Sequence, residues 1–128
     1  MPLNVFLSFA TEDKHLVDLF RGQAKNEHSG LEFRDYSVKE PFDAAWKINC
    51  ERIIGLCSVL ICLVGEDTHR SDAVNWEIKK AEELGKGIMA VCLAKPDPPL
   101  PEALEELRIQ PIPWDINLVA KELDRVAR

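Results

Sequence analysis

A chain of 128 residues fits one ordinary domain with a proper core, and 46% hydrophobic with 30% charged residues is the balance of a globular protein. The net charge of −6 argues against a nucleic-acid backbone or an anionic membrane surface as the main partner, since either rewards clustered Lys and Arg. The one adjacent basic pair, Lys79-Lys80, sits among acids, and no apolar run is long enough for a membrane span or a signal peptide, so a cytoplasmic protein is expected.

The first apolar run, LNVFLSFA, is rich in aromatic and β-branched residues and reads as a buried strand. The polar TEDK that ends it opens a helix, with Thr11 as candidate cap and Leu16, Val17, Leu19 and Phe20 at helical spacing. After Gly30 a short second strand is expected over Leu31 to Arg34, leaving DYSVKE as loop. EPFDAAWKINCERIIGLC follows as a helix whose apolar stripe is Ala45, Ile48, Cys50, Ile53 and Ile54, with Pro41 near its start.

CSVLICLVG is the strongest strand, a continuous apolar run suited to cover on both faces. A helix from about Asp72 to Leu84 comes next, stopped by Gly85 and Gly87. GIMAVCLA is the following buried strand and KPDPPLP a loop. A short helix (Glu102 to Leu107), a weak fifth strand in QPIPW and a closing helix from about Asn117 complete the chain.

Strands alternating with helices predict an α/β fold with helices on both faces of a parallel sheet of about five strands. The natural arrangement is flavodoxin-like, order 2-1-3-4-5, in a single domain over residues 1–128. In such sheets ligands sit beyond the carboxyl ends of the strands, which directs attention to FATED, RDYSVKE, GEDTHRS and AKPDP.

No GxGxxG follows the first strand and no GxxxxGK[ST] occurs, so the phosphate cradles of Rossmann and P-loop proteins are missing. GxSxG and HExxH are missing too. Cys50, Cys57, Cys62 and Cys92 form no CxxC pair and make no ligand spacing with His15, His28 or His69, so free thiols are expected and no metal site. What remains at the strand ends is a set of acids and hydroxyls: Ser8, Thr11, Asp13, Asp35, Ser37, Asp67, Ser71 and Glu77.

Three stretches resemble the TIR (Toll/interleukin-1 receptor) superfamily in the right order and element types: NVFLSFATEDK, FRDYSVKEPF and SVLICLVGEDTHRSDAVNWEI, covering about residues 3 to 93. The closer resemblance is to its small prokaryotic TIR-like branch, which includes the signalling component of Thoeris anti-phage defence. In TIR domains that cleave NAD, a glutamate on the helix after the third strand is essential, and a serine commonly precedes it by six positions. Ser71 and Glu77 keep that interval, while Val74 stands where the family often has cysteine and Trp76 abuts the glutamate.

The resemblance implies an enzyme with NAD as substrate and no further cofactor, releasing nicotinamide and forming ADP-ribose or a cyclic isomer as a signal. Glu77 would be catalytic, with Phe9, Ala10, Thr11, Asp35, Tyr36, Ser37, Ser71 and Trp76 as substrate contacts. It also implies a homo-oligomer and a separate effector that senses the product.

Other readings of the same residues stay open. From helix pattern alone Glu77 is a solvated acid pairing with Lys79 or Lys80, and Trp46, Trp76 and Trp114 are packing residues. The whole chain would then be a non-enzymatic module acting by self-association. A receiver-like phosphoacceptor would use Glu12, Asp13, Asp67 and Lys95, and a nucleoside deoxyribosyltransferase would use glutamate chemistry on an N-glycosidic bond.

Overall fold

The computed structural model describes residues 3–26, 33–36, 43–94 and 96–127, with side chains for all of these except 33–36. In chain order the elements are β1 (Leu3–Ser8), α1 (Lys14–Asn26), β2 (Phe33–Tyr36), α2 (Ala44–Gly55), β3 (Val59–Val64), α3 (Asp72–Glu83), β4 (Gly87–Cys92), α4 (Glu102–Glu106) and α5 (Ile116–Val126), with 3-10 turns at Thr11–Asp13 and Thr68–Arg70. The strands form one parallel sheet of four, in the order β2-β1-β3-β4. The expected fifth strand is a single parallel bridge between Val91 and Ile112, held by Cys92 N–H to Ile112 carbonyl and Ile112 N–H to Ala90 carbonyl, both 2.9 Å. Pro111 and Pro113 flank Ile112 and have no N–H to extend the ladder.

Strand parity divides the core into two apolar layers. Val5, Leu7, Val59, Ile61, Leu63, Met89 and Val91 point to one face, covered by Val17, Phe20 and Ala24 of α1 and Ile116, Val119 and Leu123 of α5. Phe6, Leu60, Cys62, Val64, Ile88 and Ala90 point to the other, covered by α2, α3 and α4. Each fully buried large side chain contributes about 1.5–3 kcal/mol by leaving water, so β1 and β3, whose neighbours lie on both sides, carry much of the fold.

Several boundaries differ from expectation. β2 reaches Tyr36, two residues beyond its predicted end, so Asp35 and Tyr36 lie in the strand beside Val5 and Phe6 rather than in the loop. The stripe of α2 is rotated: Trp46, Cys50 and Ile54 are buried, whereas Ala45 is exposed and Ile48 is 73% exposed. Trp46 carries more apolar surface than Ile48, and Asp43, which caps the helix by accepting the Trp46 N–H at 2.8 Å, fixes that rotation at the first turn. Leu19 of α1 is likewise exposed. Thr11 does not cap a helix; its hydroxyl donates to the Glu12 carboxylate at 2.9 Å.

Helix α3 ends at Gly85, whose φ of 72° is open to glycine. Lys86 N–H reaches the Ala81 carbonyl at 3.0 Å and Gly85 N–H the Glu82 carbonyl at 3.1 Å, the pair of bonds that closes a left-handed helix end. Gly87 plays a different part from the helix stop expected of it. It is the first residue of β4, and a Cβ there would meet the backbone carbonyl of Val126 at the end of α5.

Gly87→Ala is therefore expected to lower unfolding free energy by about 1–3 kcal/mol. Gly22→Ala, in the middle of α1 with nothing within 4 Å of the added methyl, should raise it by roughly 0.5–1 kcal/mol. Urea denaturation of the two variants checks both signs.

Candidate active site

Ser71 starts the local structure that places Glu77. Its hydroxyl accepts the Val74 N–H at 3.1 Å, capping α3 and satisfying one of the helix's free donors. Six residues on, the helical period turns Glu77 to the same side as Val74, Ile78 and Ala81, into the apolar layer rather than into water. Glu77 is 5% exposed, and with Ser8 and Thr68 it makes up the buried polar side chains among the described residues.

Two neutral donors meet its carboxyl. The Ser8 hydroxyl, on the last residue of β1, donates to Oε1 at 2.6 Å, and the Cys50 thiol of α2 donates to Oε2 at 3.7 Å. The lysines do not pair with it: Lys80 binds Glu51 at 3.1 Å and Glu83 at 2.9 Å, and Lys79 is exposed. The reading of Glu77 as a solvated helix acid is thereby corrected.

Burial pushes the Glu77 carboxyl up to about 8, and the hydrogen bonds from Ser8 and Cys50 offset only part of the rise. The 2.6 Å spacing to Ser8 is that of a charge-assisted bond, so the anion has one strong donor when it forms. Burial, and then the neighbouring carboxylate, push the Cys50 thiol far up, and Cys62 is raised in the same order. These thiols are held neutral, and all four cysteines are free, as expected.

Of the other predicted residues, those with described side chains make no hydrogen bond to Glu77, and one of them, Phe9, lies on the opposite face of the sheet. Trp76 is half-buried, its ring 5.2 Å from that of Trp46 at an interplanar angle of 59°, with the Lys80 ammonium 5.5 Å above it. Phe9 follows β1 on the parity opposite to Ser8, so it packs with the α1 and α5 layer, under the Arg21 guanidinium at 5.7 Å. Ala10 is buried and its carbonyl accepts the Asp13 N–H at 2.9 Å, while Thr11 is exposed. Asp35 and Tyr36 end β2, and Ser37 lies outside the described residues, as does Lys95.

A second polar contact ties the same end of the sheet together. Buried Thr68 accepts the Gly65 N–H at 2.8 Å and donates to Asp13 at 3.4 Å. Burial raises the Asp13 carboxyl above its ordinary value, against the Thr68 bond. Asp67, the other candidate acid of that loop, is exposed and stands 3.8 Å from Arg70. No group of three metal-ligating side chains occurs among the described residues.

From sequence, Ser8 is one of the strand-end hydroxyls but has no role beside Glu77, and Cys50 is only a free thiol on the apolar stripe of α2. Ser8 carries a legible signal, being the one hydroxyl in an apolar strand at the parity of Phe6. Cys50 carries none, because a thiol on a helix stripe looks like any small hydrophobe.

Folded, Glu77 holds a proton up to about pH 8 that the unfolded chain releases near its ordinary value of 4.5. Its contribution to stability is therefore full below the lower value, falls as pH rises between the two, and is lost above the upper, a change on the order of a few kcal/mol. Glu77→Gln keeps the shape and removes the titration. Its Tm relative to wild type is expected to increase between about pH 5 and about pH 9, as read by calorimetry; a pH-independent difference would contradict the burial.

The family described as "Thoeris protein ThsB, TIR-like domain" matches residues 6–97. Among solved structures, the TIR domain of the Toll-related receptor TRR-2 from Hydra magnipapillata superposes with a TM-score of 0.58 at 17% identity, over 96% of this chain and 90% of that one. The CMP N-glycosidase BcmB from Clostridium botulinum superposes with a TM-score of 0.54 at 20% identity, over 94% of this chain and 98% of that one. At these identities the likeness is one of fold. No curated protein sequence matches the chain.

Proposed function

We propose, from the chain's membership of the ThsB TIR-like domain family, that it cleaves NAD at the bond between nicotinamide and ribose, with Glu77 as the catalytic carboxylate, and that it serves anti-phage defence. The product would be ADP-ribose or a cyclic isomer, read by a separate effector, and the working form a homo-oligomer. The observation that supports this best is a carboxyl shut into an apolar layer at the carboxyl end of β1, with two neutral donors and, among the described residues, no neutralising cation.

The chemistry asks for little more. As the glycosidic bond breaks, its electron pair passes to the pyridinium nitrogen and nicotinamide leaves neutral, so no general acid is required. Positive charge builds on the ribose, and a carboxylate beside it stabilises that oxocarbenium-like state. Water or a nucleophile within the same molecule then attacks C1 and loses its proton. Low polarity around Glu77 strengthens its attraction for the ribose cation, at the expense of a resting carboxyl that is mostly protonated near neutrality. Phe9, Ala10, Thr11, Asp35, Tyr36, Ser37, Ser71 and Trp76 remain the proposed substrate contacts, although Phe9 packs on the face of the sheet opposite to Glu77, and the Trp46–Trp76 pair joins α2 to α3.

The test is wild-type and Glu77→Gln protein, concentrated, with and without a phage-derived trigger, incubated with NAD and read by mass spectrometry. Wild type should release nicotinamide and Glu77→Gln should lose at least about 100-fold of that rate. Because the ionised carboxyl is the working form, kcat/KM should rise with pH through a limb near 8. CMP is the second substrate to include, since the Clostridium botulinum fold neighbour is a CMP N-glycosidase. Cleavage of neither substrate under any condition favours a non-enzymatic module that acts by self-association.

A further inference from the structure

We propose that Ser8 is a positioning residue for Glu77: its hydroxyl, 2.6 Å from Oε1, fixes the direction of the carboxyl and stabilises its anionic form. This deepens the reading of Glu77 as the catalytic carboxylate and rests on it for any effect on turnover. The Ser8–Glu77 bond itself is a separate physical claim.

The geometry is specific. Ser8 is fully buried at the end of β1, and its parity turns the hydroxyl to the layer containing α2 and α3. Val5 and Leu7 of the same strand face the opposite layer, so a slip of one residue would remove the donor. On the far oxygen the Cys50 thiol at 3.7 Å is a weak donor, which leaves Ser8 as the strong one. With Oε1 fixed by Ser8, Oε2 facing the Cys50 thiol and the side chain packed in the apolar layer, the carboxyl keeps one orientation.

The neighbours that could mimic such an effect are few. The titratable groups acting on Glu77 among the described residues are Cys50 from α2 and Cys62 from β3, both held neutral by burial. Cys92 of β4 interacts with Asp97 instead, and Glu102, Glu105 and Glu106 of α4 are exposed. On its own helix, Lys80 is bound to Glu51 and Glu83. Burial raises the carboxyl, and the Ser8 bond is the largest influence in the opposite direction.

The experiment titrates the Glu77 carboxyl directly, by carbon-13 NMR of protein labelled at the glutamate side-chain carboxyl, with Glu77→Gln to identify the resonance. Ser8→Ala should move the midpoint up by about one pH unit and Ser8→Thr, which restores a hydroxyl and suits a strand, should bring it back. In the NAD assay, Ser8→Ala should lose about tenfold of kcat/KM near pH 7, with the loss shrinking above the shifted midpoint. A midpoint that stays in place in Ser8→Ala, in protein that remains folded by circular dichroism, overturns the proposal whatever the activity. A shifted midpoint in protein that never cleaves NAD upholds the Ser8–Glu77 bond and removes the enzymatic reading instead.

Discussion

The hydrogen bond from Ser8 to Glu77 joins the end of β1 to the second turn of α3 across an otherwise apolar layer. A carboxyl there must either keep a proton or find donors strong enough to hold its charge, because the layer offers no water-like dielectric. The arrangement sits between those outcomes, with one strong donor, one weak thiol and no cation among the described residues. Such a group is unfavourable for stability once ionised, and chemically useful for the same reason. Under the proposed function, a cation that develops beside it would meet an anion with little else to bind.

The rest of the fold keeps that group where it is. The Ser71 cap fixes where α3 begins, and so which face of the helix Glu77 occupies. The Trp46–Trp76 contact presses α2 onto α3, bringing Cys50 to the carboxyl. Thr68 links the loop after β3 to Asp13 in the loop after β1, so the two strand ends that frame the site are tied to each other. The buried side chains Ser8, Glu77 and Thr68 are each hydrogen-bonded, as a low-polarity interior requires, whereas His69 Nδ1, in the turn after β3, is buried with no partner among the described residues.

Sequence reasoning reached the helices and the buried strands because their apolar patterning is strong, and it singled out Glu77 as a candidate through the Ser71–Glu77 interval and the family resemblance. It went wrong where two local signals competed. Ile48 looked like core by spacing, yet the larger Trp46 took the buried face and left it in solvent. QPIPW looked like a strand, but its prolines limit pairing to Ile112. Gly87 looked like part of a helix stop, and its real constraint is the Val126 backbone, 39 positions further along the chain.

By itself the sequence determined the α/β class, the buried strands and the start of α3, since these follow from local apolar patterning and capping over a few residues. Only the tertiary structure decided that Ser8 and Cys50, 69 and 27 positions from Glu77, are the groups that touch its carboxyl. That choice depends on how strand β1 and helices α2 and α3 stack. Nothing in a serine's or cysteine's own neighbourhood in the chain records which distant side chain will come to rest against it.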